Sequence, residues 1–233
     1  MGHYKAMSES SLSAKTVFIT GAARRIGAVT AQLLHAVGAT VVIHYRYSEE
    51  EAEQLQQRLN SIRPNSCFLV KGDLLQTDRL PDLVEQVMSF TGRLDVLINN
   101  ASSFYPSALD DMTEQQWDDL IGTNLKAPIF LAKAVAPYLR LTQGCIINMV
   151  DVHGMRPLSG YVLYGAAKAG LLMATQVLAR ELGPDIRVNG IAPGAILWPE
   201  QGIATVNEQH ILEKTALKRA GSPEDIANAV LFL

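Results

Sequence analysis

The chain is short of the residues that mark several protein classes. It has two cysteines in 233 residues, Cys67 and Cys145, too few for a disulfide scaffold or a four-cysteine metal site. Both fall in strand-like apolar runs and read as buried free thiols, which fits a reducing, cytoplasmic location, and no metal is expected. Positive charge is not in excess: 20 Lys and Arg stand against 23 Asp and Glu, a net charge of −3, which argues against a nucleic-acid partner. No uninterrupted apolar run is expected to reach the length of a membrane span, because Lys133 breaks the candidate around Ala127–Leu139, and no membrane partner is expected either. The opening MGHYKAMSES lacks the apolar centre of a signal peptide, and residues 1–13 read as a flexible N-terminal extension.

What is present is core. At 48% hydrophobic and 18% charged, the length suits one globular domain over residues 14–233. Short β-rich runs alternate with helical patterns. Strands are expected at Thr16–Thr20, Thr40–Tyr45, Ser66–Lys71, Val96–Asn99, Cys145–Val150 and Ile186–Ile191. Helices are expected at Ile26–Val37, capped by Gly38, and at Glu49–Ser61, Leu80–Thr91, Gln115–Leu139 and Val162–Leu182. Pro128 should kink the fourth helix unless two helices meet there. Repeated β-α units with continuous apolar strands imply an α/β fold: a single-domain, Rossmann-type, doubly wound parallel sheet with helices on both faces. The final pattern, Pro223–Leu233, carries no stop signal and reads as a chain whose C-terminal end is missing.

Between the first strand and first helix lies Thr20-Gly21-Ala22-Ala23-Arg24-Arg25-Ile26-Gly27. A glycine turn in that place presents helix N–H groups and a positive dipole to a dinucleotide pyrophosphate, although an ordinary strand-to-helix turn reads the same way. The second strand ends in His44-Tyr45-Arg46-Tyr47-Ser48, with no acid to hold a ribose diol. Arg46 and Ser48, joined by Arg24 or Arg25, could hold a 2′-phosphate, which favours NADPH over NADH. Tyr164 and Lys168 in YGAAK are one helical turn apart, so the ammonium is expected to lower the phenol's pKa and make a proton donor. Asp151 by itself is equally a turn residue, and Phe104-Tyr105-Pro106 equally a turn at the core's edge. His44 and His153 are given no catalytic part.

Together, Thr20-Gly21, Gly72-Asp73-Leu74, Asn99-Asn100-Ala101-Ser102, Asn124, the Tyr164/Lys168 pair and Pro193-Gly194 resemble the short-chain dehydrogenase/reductase family in content and order. Three departures are similar to its pteridine reductase branch: Arg25 in place of the turn's middle glycine, NNASSFYP over Asn99–Pro106, and Asp151 in place of serine. The HYRYS segment is similar to that branch's NADPH-selecting loop. The resemblance implies NADPH-dependent reduction of a dihydropterin, with dihydrofolate as a further candidate substrate. Tyr164 would be the proton donor and Asp151 its partner, Lys168 would hold the nicotinamide ribose, and Asn124 would kink its helix and anchor a water.

The same resemblance makes Arg25, Ser102 and Phe104 contacts of the pterin. It assigns Gly21, Arg24, Arg25, Ile26, Gly27, His44, Tyr45, Arg46, Ser48, Asp73, Leu74, Asn100, Ala101, Ser102, Pro193 and Gly194 to the cofactor. Trp198 would close the pocket or merely pack at the surface. A homotetramer is implied. The competing readings are a carbonyl reductase of the 3-oxoacyl or sugar-alcohol type, and a dinucleotide sensor without turnover.

Overall fold

The computed structural model describes residues 12–196 and 212–233. Six parallel strands form one sheet: β1 (Thr16–Ile19), β2 (Thr40–Tyr45), β3 (Cys67–Lys71), β4 (Val96–Asn99), β5 (Cys145–Met149) and β6 (Arg187–Ile191). Their spatial order is β3-β2-β1-β4-β5-β6. The helices are α1 (Arg25–Ala36), α2 (Glu49–Ile62), α3 (Leu80–Thr91), α4 (Glu114–Ile121), α5 (Ala127–Thr142), α6 (Val162–Leu182) and α7 (Pro223–Phe232). This is the expected doubly wound α/β architecture in a single domain. Of the N-terminal extension, residues 1–11 lie outside the described residues, while Leu12 donates its N–H to Val37 O at 2.9 Å.

Side-chain alternation along the strands divides the core in two. Phe18, Val42, Leu97 and Ile146 point to one face, where α3 and α5 cover them with Leu80, Val84, Leu131 and Val135. Val17, Ile19, Val41, Ile43, Ile98 and Ile147 point to the other, beneath Leu34 of α1, Leu55 and Leu59 of α2, and Ile226 and Val230 of α7. The inner strands β1, β4 and β5 are buried on both sides because both faces are covered. Cys67 and Cys145 are buried free thiols; burial pushes the Cys67 pKa up to about 12 and raises that of Cys145.

Two expectations are corrected. The single helix expected over Gln115–Leu139 is α4 and α5 joined by a π-helical turn, Gly122–Lys126, and Pro128 lies in the first turn of α5. There its missing N–H costs little, although it cannot donate to the carbonyl of Asn124, four residues back. And one run does reach membrane-span length: α6, 21 residues, passes on length and composition because Ala, Gly and Leu dominate it. In the fold its buried residues include Leu163, Ala167 and Leu171, as in a core helix.

β1 pairs with β2 on one side and β4 on the other, so chain order reverses at β1–β4. At such a switch point the loops beyond the strands' carboxyl ends diverge and leave a crevice.

Candidate active site

The crevice begins where β1 ends. Gly21 takes φ +61°, and a Cβ on it would lie 2.8 Å from Ala101 Cα, so only glycine brings the first turn this close to the end of β4. Asn100 locks the two together: its Nδ2 donates to Thr20 O at 2.9 Å and to Gly21 O at 3.0 Å. Thr20 Oγ1 in turn accepts from the N–H groups of Asn100 and Ala101 at 2.9 and 3.0 Å. A Cβ on Gly27 would fall 2.6 Å from Asn100 Nδ2 and 2.8 Å from Ala22 Cα, which is why α1 can start so near the strand ends. Arg25, where the resemblance places a glycine, also has a glycine-like φ of +55°. Holding a side chain in that left-handed conformation costs about 1 kcal/mol.

β2 and β3 supply the next wall. His44 accepts from Gly21 N at Nδ1 (3.2 Å) and donates from Nε2 to Gly72 O (3.2 Å), tying three chain segments with one neutral ring. Burial holds its pKa down at about 4, so it serves as a fastener and not as an acid or base. Arg46 pairs with Asp73 at 2.8 Å and lies 4.7 Å from the Tyr47 ring centre. Tyr45 donates to Glu49 Oε1 at 3.0 Å, and Lys71 Nζ lies 2.8 Å from Glu49 Oε2.

These segments enclose a groove of about 470 Å³. It is lined by Gly21, Arg24, Arg25, Ile26, Gly27, His44, Tyr45, Arg46, Ser48, Asp73, Leu74, Asn100, Ala101 and Ser102, all assigned to the cofactor from sequence. Ala23, Tyr47, Ser103 and Thr123 line it too, without having been singled out as contacts. Lys168, Pro193 and Gly194 do not. Pro193 instead accepts from Val152 N at 3.2 Å, behind Asp151. Trp198 lies outside the described residues.

Asp151, Tyr164 and Lys168, the groups to which the resemblance assigns proton transfer, are not among the groove's lining residues. Tyr164 Oη donates to Asp151 Oδ2 at 2.7 Å, and Asp151 Oδ1 accepts from His153 N at 2.8 Å, which fixes the carboxylate's orientation. Lys168 Nζ donates to Met149 O at 2.8 Å and sits 5.6 Å from the Tyr164 ring centre. Contrary to the expectation from the spacing, Lys168 does not bring the tyrosine's pKa below its ordinary value. Burial, then the Asp151 charge and hydrogen bond, drive the Tyr164 pKa upward, so the phenol keeps its proton. It is the ammonium that shifts down, to about 8, because Lys168 is buried; the Asp151 charge opposes this.

Asn124, in the π turn, donates from Nδ2 to Leu120 O and Ser103 O at 3.0 and 2.9 Å. Its Oδ1 accepts from Ser102 Oγ at 2.7 Å, so Ser102 joins the turn to the tyrosine's surroundings. The Phe104 ring meets Tyr164 edge-on at 4.7 Å and stacks on Tyr161 at 4.8 Å and 18°. One ring face is thus backed by Tyr161 while 38% of the residue stays exposed. Tyr161, Asp119 and Tyr105 were missed in the sequence. FYP signalled Tyr105 weakly, and nothing local signalled the other two.

A family model described as enoyl-(acyl carrier protein) reductase matches residues 21–233. Pteridine reductase 1 of Leishmania tarentolae is 36% identical, covering 96% of this chain and 91% of its own length. The 3-oxoacyl-(acyl-carrier-protein) reductases of Staphylococcus epidermidis and Thermotoga maritima are 36% and 35% identical, over 94% and 95% of this chain.

Proposed function

This chain belongs to the short-chain dehydrogenase/reductase family, and from that premise we propose that it is an NADPH-dependent reductase of pterins. The observation that carries the reading is the Tyr164–Asp151 hydrogen bond of 2.7 Å beside the half-exposed Phe104 ring. A carboxylate beside the proton donor can accept hydrogen bonds from the N–H-rich edge of a pterin, an edge that a simple ketone lacks. An aromatic ring with one free face suits a flat heterocycle.

The groove fits a dinucleotide. Two glycines keep its floor open, α1 turns its N-terminus toward it, and Arg24 and Arg46 give its wall positive charge for a 2′-phosphate. When bound, NADPH supplies the hydride. The chain's own part is to orient and to move a proton. Tyr164, kept protonated by burial and by Asp151, gives its proton to the nitrogen or oxygen of the C=N or C=O bond whose carbon receives the hydride. Asp151 holds the phenol in line, and Lys168, fixed on Met149 O, supplies positive charge close by. Asn124 and Ser102 hold the loop that carries Phe104, and Ser102 and Arg25 reach the pterin's polar edge. The protein is further proposed to be cytoplasmic and to act as a homotetramer, with exposed Val162, Met173 and Val177 of α6 at a subunit contact, to be read by light scattering on the eluting species.

A second reading, a carbonyl reductase of 3-oxoacyl substrates, is favoured by the bacterial relatives' equal identity. Following reduced-nicotinamide absorbance with NADPH and dihydrobiopterin, beside an Asp151→Ser variant, separates the two. Rapid pterin-dependent oxidation that collapses in the variant supports the first. Turnover of ethyl acetoacetate but of no pterin replaces it with the second.

A further inference from the structure

Phe104 does not hold its own position. Its neighbours on both sides reach across to one carboxylate: Tyr105 Oη donates to Asp119 Oδ2 at 2.9 Å, and Ser103 Oγ donates to Asp119 Oδ1 at 3.3 Å. Asp119 lies on α4, whose N-terminus is fixed by a capping box between Thr113 and Gln116. From the π turn that follows, Asn124 Nδ2 donates to Ser103 O at 2.9 Å. Further along, Ser107 N donates to Gly160 O at 2.7 Å and Ser107 Oγ accepts from Leu163 N at 3.2 Å, binding the loop to the start of α6. A ring on an exposed loop is therefore spanned by hydrogen bonds before and after it, and Tyr161 closes the side away from the open face.

We infer that Asp119 is a positioning residue for substrate: by gripping Ser103 and Tyr105 at once it sets the plane of Phe104, with Tyr161 as the backing of that wall. The inference rests on the reading that the open face of Phe104 meets the substrate. Physically, a carboxylate accepting two hydroxyl protons is a rigid two-point clamp, whereas a single hydrogen bond would leave the intervening residue free to rotate. A ring displaced by a fraction of its own width loses stacking contact with the heterocycle, and with it substrate affinity. Tyr105 remains a donor throughout, since burial and Asp119 push its pKa up to about 12. The shared helix matters too: Asn124 and Asp119 move together, so proton network and stacking wall keep one spacing.

The test compares Asp119→Ala, Asp119→Asn and Tyr105→Phe with wild type in steady-state kinetics on dihydrobiopterin. NADPH affinity is followed by nucleotide fluorescence, and hydrogen–deuterium exchange is read over residues 103–107. The expected result for Asp119→Ala is a rise in KM of about tenfold, with kcat and the NADPH Kd within about twofold and exchange faster in that segment alone. Asp119→Asn, which can still accept from Tyr105 and donate to Ser103, should recover most of the KM. Tyr105→Phe should fall between. An unchanged KM overturns the inference, whether or not exchange quickens; so does a KM rise shared equally by Asp119→Asn, or one accompanied by lost NADPH affinity, which would mark a merely structural role. If wild type oxidises no NADPH with pterins, the pterin reading falls by itself. The series is then read on the ketone that wild type reduces, where an unchanged KM in Asp119→Ala sinks the clamp.

Discussion

Tyr164 can only be useful as an acid if its proton stays on until the hydride arrives, and its surroundings see to that. Burial and the adjoining Asp151 charge both disfavour phenolate. Tyr164→Phe should therefore lower kcat by about 10²- to 10⁴-fold while the NADPH Kd, by fluorescence titration, stays near wild type, because Tyr164 does not itself line the groove. Arg25 is a residue whose chemistry is set against its backbone. At φ +55° it gives up about 1 kcal/mol that glycine would not. Arg25→Gly should leave the thermal midpoint unchanged or slightly raised, although a glycine's looser unfolded state takes back part of the gain. Its KM for substrate should rise. These residues show what a sequence reveals and what it withholds. The four-residue spacing of Tyr164 and Lys168 is written in the chain. That Lys168 turns to Met149 O, and that Asp151 rather than Lys168 governs the phenol, depends on side-chain directions that spacing does not encode.

At the scale of elements, β2 and the first turn meet through His44, and that junction titrates. With its folded pKa held at about 4 against 6.5 when unfolded, His44 binds fewer protons in the native state across that window. Its contribution is fully present above pH 6.5 and is lost as pH falls toward 4. The loss amounts to roughly 3 kcal/mol, and the buried His35, whose pKa is also held down, adds a loss of the same sign. Urea midpoints measured from pH 7 to 4 should show this decline, and His44→Asn should flatten it even from a lower starting stability.

Strands and most helices were legible because apolar periodicity and glycine or proline punctuation agreed: Leu80–Thr91, Val96–Asn99 and Val162–Leu182 have the bounds read from sequence. The α4–α5 junction was legible only as a dilemma at Pro128. The π turn arises where the Asn124 side chain takes the Leu120 carbonyl, which an α-helix would reserve for the backbone N–H of the same residue. No periodicity announces that exchange. The loop carrying Phe104 was harder still, since its anchor Asp119 stands 14 residues from Tyr105.

For the molecule as a whole, the cofactor groove depends on helices that never touch it. α7 packs on α1, with Ile226 and Val230 buried among Ala28, Ala31 and Leu34, and so backs the helix whose N-terminus forms the groove floor. Ile226→Ala should cost about 3 kcal/mol of stability by urea denaturation. It should also weaken NADPH binding modestly, because α1 gains freedom at the glycine turn. Fold class could be read from sequence since each β-α unit repeats one local grammar; the groove's lining followed because its residues cluster at strand ends. The substrate was legible only through the family resemblance, on Phe104 and Asp151; the backing of Phe104 by Tyr161 was not legible, because the two rings meet from distant segments.

The two thiols offer a different use of the same sheet. Cys67 lies on β3, which among the described residues pairs only with β2, and Cys145 on β5, flanked by β4 and β6. Both are buried and poorly ionised. Neither can react with an alkylating reagent until its own strand opens. The protein thus carries two chronometers, one at an end of the sheet and one within it. Their relative labelling times would tell which half of the molecule breathes first.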